Sequence, residues 1–444
     1  MRKIVIFLSM ITLIALPQKV LSADYGLKDL LLIALKKAEK IQIAEKNKEI
    51  AEEGKNKRKA ALLPRVTTSG SLTWFTEGKK TPDTAIFPGI ILPGTVYQPD
   101  YMGQWALRVD QALNLYGKEI RDLAIAQHNV LRQNEDIRAQ KEEYLTVVAV
   151  SYFETLRAEK NLEIAEAAIR RLELYRLAAE KRLKVGEVTK TVLLRAEGEL
   201  SGALSDRVKA VNTLEITRTY LASLVGIEGE FSLKEELLKL DSIPELAELI
   251  KLALDNRPEI KAAWWEMKMA AEQVKSVKSG HWPSLALSGV YSRYDQSPGQ
   301  ATTNRESVYG LVSLNFPLFE GGLRMAEVRE ALIKERQAQL RYEDVKKNVM
   351  VEVETAYRDF KSQGEIIKAL KDQLKFAREN YQAVNRQFEV GLASSIDVMD
   401  AHTLLVGTER QLAAAEFAQR AAFVRLKRAT GMLLPEIAGM QEKS

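Results

Sequence analysis

Asp397 and Asp400 stand three residues apart, just inside a helical pattern that begins after Val390-Gly391-Leu392. That spacing puts both carboxylates on one helix face, outside the helix's apolar seam. If several copies of the chain met around an axis with that face inward, each carboxylate would form a ring. Such rings repel when narrow, favour cations, and respond to pH or divalent ions. The same acids also suit the first turns of a helix, where they interact favourably with the macrodipole, a role that fits Asp397 better than Asp400. Both readings stay open on the sequence.

Covalent chemistry finds no support. His128, His281 and His402 are scattered, and no HExxH, GxSxG, P-loop or GxGxxG pattern accompanies them. His402 follows Asp400 by two positions and so points elsewhere on the helix. With no Cys, the chain lacks thiolate ligands, disulfides and redox motifs. The expectation is a protein that is not an enzyme, holds no metal or cofactor, and draws any energy from a partner.

The elements that position these residues come from a duplication. Leu27 to Gly70 matches Leu246 to Gly289 at an offset of 219, and the copies realign at 205, placing Val185-Gly186 on Val390-Gly391 and Gly226 on Gly431. The chain divides into a signal peptide at 1–23, a first repeat at 24–240 and a second at 241–444. Each repeat reads helix, two strands, helix, helix. A unit of about 200 residues exceeds any solenoid repeat and points to halves arranged around a pseudo-symmetry axis.

In each copy an amphipathic stretch (Leu27 to Leu63, Leu246 to Gly280) meets a proline, Pro64 or Pro283, and turns to β alternation. Val66, Thr68, Gly70, Leu72 and Trp74 share one face, as do Leu285, Leu287, Gly289 and Tyr291 in the second copy. Second strands follow near Trp105 to Leu115 and Ser307 to Phe319. Aromatic residues near the strand ends suggest transmembrane β-strands with girdles. The first hairpin loop, Lys79 to Asp100, holds four prolines and reads as an exposed surface loop. Gly117 to Val185 and Gly322 to Val390 each run 69 residues without Pro, which predicts helices on the order of 100 Å.

The returning helix has a heptad seam of Val398, Leu405, Leu412, Gln419 and Leu426, with Ala401, Thr408, Ala415, Ala422 and Ala429 three residues on. Each copy therefore makes an antiparallel helical hairpin. Apolar residues off the seam, such as Phe417 and Phe423, predict neighbours on a second side.

Arg2 and Lys3, the apolar Ile4 to Leu16 and the small-residue site Val20-Leu-Ser-Ala23 form an export signal, too short to span a bilayer. Its removal takes Arg2, Lys3 and Lys19, so the formal charge falls from +5 to +2, and no nucleic-acid face is implied. A mean hydropathy of -0.20 excludes a polytopic helical membrane protein. Four strands per chain cannot close a barrel, and open edges are forbidden in hydrocarbon. Three copies would supply twelve strands, wide enough for a lumen, and six helical hairpins.

With its repeat, its tip motifs Arg182-Leu-Lys-Val-Gly186 and Arg386-Gln-Phe-Glu-Val-Gly391, the following Ser394-Ser-Ile-Asp-Val-Met-Asp400, and the junction Phe316-Pro-Leu-Phe-Glu-Gly-Gly322, the chain resembles the TolC-like outer membrane efflux proteins. The resemblance implies a mainly α fold with membrane β: a homotrimer with a 12-stranded outer membrane barrel, four strands per chain, continuous with a periplasmic helical tunnel. It implies an exit duct for efflux or type I secretion, embedded in outer membrane lipid, working with a periplasmic adaptor and an inner-membrane pump of RND or ABC type. It further implies that Asp397 and Asp400 line a periplasmic constriction, and that the tips Val185, Gly186, Glu187, Val390, Gly391 and Leu392 meet the adaptor. The first copy has Val192 and Arg195 where the second has the two acids, so Arg195 is a candidate partner for Asp400. Ala393 occupies a place where members of this family can carry a restraining Arg. The competing expectation is a periplasmic coiled-coil rod or surface protein without channel activity.

Overall fold

The computed structural model describes residues 23–235, 243–299 and 304–435; apart from Ala23, the expected signal peptide lies outside them. The first repeat runs β1 (Ala23–Tyr25), α1 (Leu27–Lys37), α2 (Glu39–Ala60), β2 (Arg65–Trp74), β3 (Lys79–Lys80), β4 (Thr84–Phe87), β5 (Ile90–Leu92), β6 (Val96–Gln98), β7 (Tyr101–Asn114), α3 (Lys118–Lys184), α4 (Lys190–Val225) and β8 (Phe231–Leu233). The second runs α5 (Leu246–Asn256), α6 (Pro258–Ser279), β9 (Ser284–Ser297), β10 (Glu306–Asn315), α7 (Leu323–Glu389) and α8 (Ser395–Ala429). The two long helices are 67 residues each, as the proline-free runs predict.

Each amphipathic stretch read as continuous is broken in two. Ala38 (φ −61°, ψ 119°) and Arg257 (φ −61°, ψ 122°) are extended and lie 219 positions apart, so the break belongs to the repeat. Pro258 explains the second, because the residue before proline is driven out of the helical region. No proline marks the first, where Glu39 follows.

Four long strands form an antiparallel sheet in the order β10-β9-β7-β2. The central pair β7–β9, Tyr101 opposite Ser297 through Asn114 opposite Ser284, joins the hairpins of the two repeats. Register sorts the side chains. Val66 faces Val109, Thr68 faces Leu107 and Gly70 faces Trp105. On that same face Leu107 meets Tyr291, and Tyr291 meets Val308. The opposite face is polar: Ser288 donates to Asp110 at 2.5 Å, the Ser292 and Ser307 hydroxyls are 2.7 Å apart, and Gln104 donates to the Tyr294 hydroxyl at 3.0 Å. The apolar face packs on no core, with Val66 62%, Trp74 71%, Val308 78% and Val312 69% exposed. An apolar outer face and a polar inner face are what lipid and a lumen require.

The chain divides into two compact units, each built from pieces of both repeats. Of the described residues, one comprises 23–38, 145–235 and 362–422; its core includes Leu30, Leu145, Val148, Tyr152, Leu221 and Val398. There the parallel pair β1–β8 ties Ala23–Tyr25 beside the end of the first repeat. The other comprises 39–144, 243–299, 304–361 and 423–435, and it holds the four-stranded sheet. Its apolar cluster of Leu249, Ala253, Ile260, Val349, Val353, Leu426 and Ala429 joins α5, α6, α7 and α8.

A charged network lies in that second unit. Arg257, 3% exposed, donates to Glu259 at 2.8 and 3.0 Å, to Glu352 at 2.8 Å, and to the Ala429 carbonyl at 3.2 Å. Arg428 bridges Glu143 at 2.6 Å and Glu352 at 2.7 Å. Glu142, 1% exposed, sits among them; burial, reinforced by Glu259, pushes its carboxyl up to about 7 against the pull of Arg257, Arg138 and Arg428.

A carboxyl whose folded value lies above its unfolded one keeps its proton in the native state while the unfolded chain releases it. Stability therefore falls as pH rises from about 4.5 to about 7 and levels off above, a difference of about 3 kcal/mol. Glu142→Gln should flatten this component: between pH 5 and 7.5 the apparent melting temperature in detergent should drop by several degrees more for the parent than for the variant. Parallel melting curves would mean that Glu142 is ionised throughout.

Candidate functional site at the helical tips

Both helical hairpins turn through the same device. Gly186 (φ +78°) and Gly391 (φ +80°) take the left-handed region that L side chains avoid. At the first tip Gly186 N–H donates to Leu183 C=O at 3.1 Å and Glu187 N–H to Arg182 C=O at 2.9 Å. At the second, Gly391 N–H donates to Phe388 C=O at 3.0 Å and Leu392 N–H to Gln387 C=O at 2.8 Å. These are paired six-to-one and five-to-two bonds that satisfy the last carbonyls of each helix. The turns leave Val185 71%, Val390 70% and Leu392 81% exposed.

The helix starts differ between the copies. Ser394 caps α8: its N–H and hydroxyl donate to Asp397 Oδ2 at 2.8 and 2.7 Å, while Asp397 N–H donates to Ser394 Oγ at 3.3 Å. This is a reciprocal capping box. The Ser394 bonds, side chain first, hold the exposed Asp397 carboxyl below the usual carboxylate range. In the first copy Thr189 precedes α4 without a side-chain cap bond, and Val192 stands where Asp397 stands in the second. Asp400 lies one turn further on, exposed. Asp397 thus has a local structural role that Asp400 lacks.

Arg195 and Asp400 make no ion pair among the described residues. Arg195 acts instead near Tyr175, whose phenol is raised by burial and lowered by the Ser395 hydroxyl and by Arg195 and Arg182. Tyr175 belongs to a buried cluster with Leu172, Ala196, Phe388, Val398 and Met399, which packs the ends of α3, α4, α7 and α8 together.

The residue that joins the two tips is Arg182, which the sequence places in a tip motif without assigning it a role. Its Nη1 donates to the Phe388 carbonyl at 2.6 Å and its Nε to Glu187 at 2.9 Å, and the guanidinium lies 4.9 Å from the Phe388 ring centroid. A cation in the last turn of α3 therefore adds a second donor to the Phe388 carbonyl, which already accepts from Gly391, at the end of α7 where the macrodipole favours it. Two further pairs tie α8 to the first hairpin: Arg171–Glu409 at 2.9 Å and Arg410–Asp206 at 3.1 Å. Partners more than 200 positions apart leave no local sequence signal. His402 is buried nearby; desolvation, with Arg171, pushes it down to about 4, so it is neutral at pH 7. Among the described residues no group of His, Asp or Glu is arranged to hold a metal ion.

The model of the family described as "Outer membrane efflux protein" matches residues 30–227 and 249–432. The matches start 219 positions apart and end 205 apart, the two offsets of the internal repeat. The chain is 24% identical over 352 residues to the outer membrane efflux protein BepC of Brucella suis, covering 79% of this chain and 76% of that one. To the outer membrane protein TolC of Vibrio cholerae it is 25% identical over 320 residues, covering 70% and 73%. A solved structure of CusC superposes with a TM-score of 0.80 at 22% identity, over 92% of this chain and 93% of that one.

Arg182→Ala should free the second tip. Losing a charge-assisted hydrogen bond to a carbonyl and a ring contact removes about 2 kcal/mol, or roughly 30-fold in local opening. Amide hydrogen exchange at residues 386–398 should speed up accordingly, with Arg182→Lys between the two. Exchange at the parent's rate would show that the contact restrains nothing.

Proposed function

The chain belongs to the outer membrane efflux protein family, and we propose that three copies of it form the passive exit duct of a tripartite efflux or type I secretion machine. That it is an outer membrane channel with a β-barrel and a helical tunnel is the family's fold and function; the rod alternative falls with that membership. The observation that carries the assembly is the sheet: four strands, apolar on one face and polar on the other, with β2 and β10 unpaired at its edges. Twelve strands from three chains remove every edge and enclose a lumen.

Energy comes from an inner-membrane pump of the RND or ABC type through a periplasmic adaptor. The bared Val185, Val390 and Leu392 fit an end-to-end meeting with the adaptor's apolar tip. Gly186 and Gly391 give these residues their position, so a bulky residue at either glycine blocks docking without touching the barrel. The constriction reading assigns Asp400 the leading role: its carboxylates form a ring of three, and Asp397 adds charge while also capping α8. Cargo is selected upstream by the pump.

Two measurements test this reading. The native mass of the mature protein in detergent, extracted from outer membranes, should be that of three chains; a soluble monomer would sink the duct. In planar bilayers Asp400→Ala should lower cation preference and raise conductance, with Asp397→Ala adding a smaller change and a lower melting temperature from the lost cap. Unchanged selectivity in the double variant would remove the carboxylates from the constriction.

A further inference from the structure

The connection between β2 and β7, expected to be an irregular surface loop, is an arm. Phe75 N–H donates to Asp100 C=O at 2.9 Å, Lys79 pairs with Gln98 and Lys80 with Val96, and Thr81 N–H donates to Thr95 C=O at 2.9 Å. Thr84 then pairs with Leu92, Ala85 with Ile91, and Phe87 with Ile90, closing at a Pro88-Gly89 turn where Gly89 has φ +89°. Two short ladders, β3–β6 and β4–β5, thus follow the β2–β7 hairpin in succession, with a break at 81–83 and 93–95, out to the tip. With 13 residues on one side (75–87) and 11 on the other (90–100), the arm can reach at most about 40 Å beyond Trp74.

The arm's tip is apolar. Ile86 is 49%, Phe87 66%, Ile90 58%, Ile91 67% and Leu92 51% exposed, with Tyr97 66% behind them. From Thr84 to Gln98 there is no charged residue; Glu77, Lys79, Lys80 and Asp83 stay at the root. A two-stranded ribbon with both faces in water is marginal, and an apolar patch of this kind marks a contact.

Resting on the trimeric duct, we propose that the arm tips of the three copies pack on one another over the outer mouth and close it as an apolar cap. The root of the arm leaves β2, the open edge at which the next copy must pair, so the arm starts at the seam between copies. The short ladders carry the tip onward past Trp74 and Tyr101, away from the apolar band that faces lipid. A twelve-stranded barrel has a radius of about 12 Å, well within the arm's reach, so tips from three sides can meet at the axis. Uncharged tips meet there without like-charge repulsion, and an apolar constriction gates by dewetting, opening when the pump drives cargo through.

The chain has no Cys, so Ile91→Cys introduces its one thiol. Mild oxidation of intact cells should link up to roughly two of every three chains as disulfide dimers, the limit for one thiol around a three-fold axis. Lys79→Cys at the root should stay unlinked. Phe87→Ser with Ile91→Ser should raise single-channel conductance several-fold while the detergent particle stays trimeric. The cap is overturned if the particle is trimeric but Ile91→Cys gives no dimer, whether the thiol reacts with aqueous maleimide, as an open arm would, or only with a lipid-soluble one, as an arm folded into the bilayer would. A monomeric particle would overturn the duct along with its cap, and the native mass separates that failure from the others.

Discussion

The rest of the structure depends on the open edges of a four-stranded sheet. In hydrocarbon no water is available to satisfy the N–H and C=O groups along β2 and β10, and each unpaired group costs several kcal/mol. Among the described residues nothing pairs with either edge, and the sheet is apolar on one face, so the chain cannot meet that cost alone. Closure by further copies makes the polar face a lumen. Every other feature then takes its place relative to an axis that a single chain does not contain: the helical hairpins multiply around it, and whatever lies at their tips is repeated about it.

Duplication supplies two hairpins with one geometry, and divergence at their ends makes them unequal. The turns are the same down to the hydrogen bonds at Gly186 and Gly391. What differs is what holds each end. The second hairpin has a capping box at Ser394 and Asp397, which fixes where α8 begins. The first lacks that cap but contributes Arg182, which reaches across to the Phe388 carbonyl. One hairpin is thus organised locally, while the other supplies the cross-link. The Asp397 carboxylate is fixed in the cap by a backbone amide and a hydroxyl that favour its charged form, so its position is set by the start of α8.

Periodicity and punctuation made most of the fold legible in the sequence. The absence of proline set both 67-residue helices to within a residue or two, Pro64 and Pro283 marked the switch to strands, and alternation gave the correct faces. What escaped has no local signature. The break at Ala38 lacks a proline and is visible only through its partner at Arg257. The pairing of β7 with β9 joins residues about 180 positions apart. The arm escapes the sequence because prolines and glycines read as loop, although here they sit at the Pro88-Gly89 turn and in the breaks between short ladders. Of the site, the glycines and carboxylates were readable as types in a spacing, whereas Arg182, Arg171 and Asp206 acquire their roles only from partners on other helices.

The two compact units are held by different physics, and this bears on which can move. In the unit with the sheet, a nearly buried Arg257 is satisfied by two carboxylates and the closing carbonyls of α8. Removing any member strands a desolvated charge, so such a network resists opening. At Gly431 beside it, whose φ is +70°, a Cβ would crowd the Asn256 carbonyl carbon at 3.1 Å. At the tips the restraints are one guanidinium, a few partly exposed ion pairs, and a small cluster around Tyr175 and Phe388. The partly exposed ion pairs contribute little in water, and the Arg182 link is a single contact rather than a network. Elements that must open are drawn from the least stable parts of a fold. In the proposed duct, that contrast would keep the sheet's unit fixed while the tips are held by few contacts that a docking partner could displace.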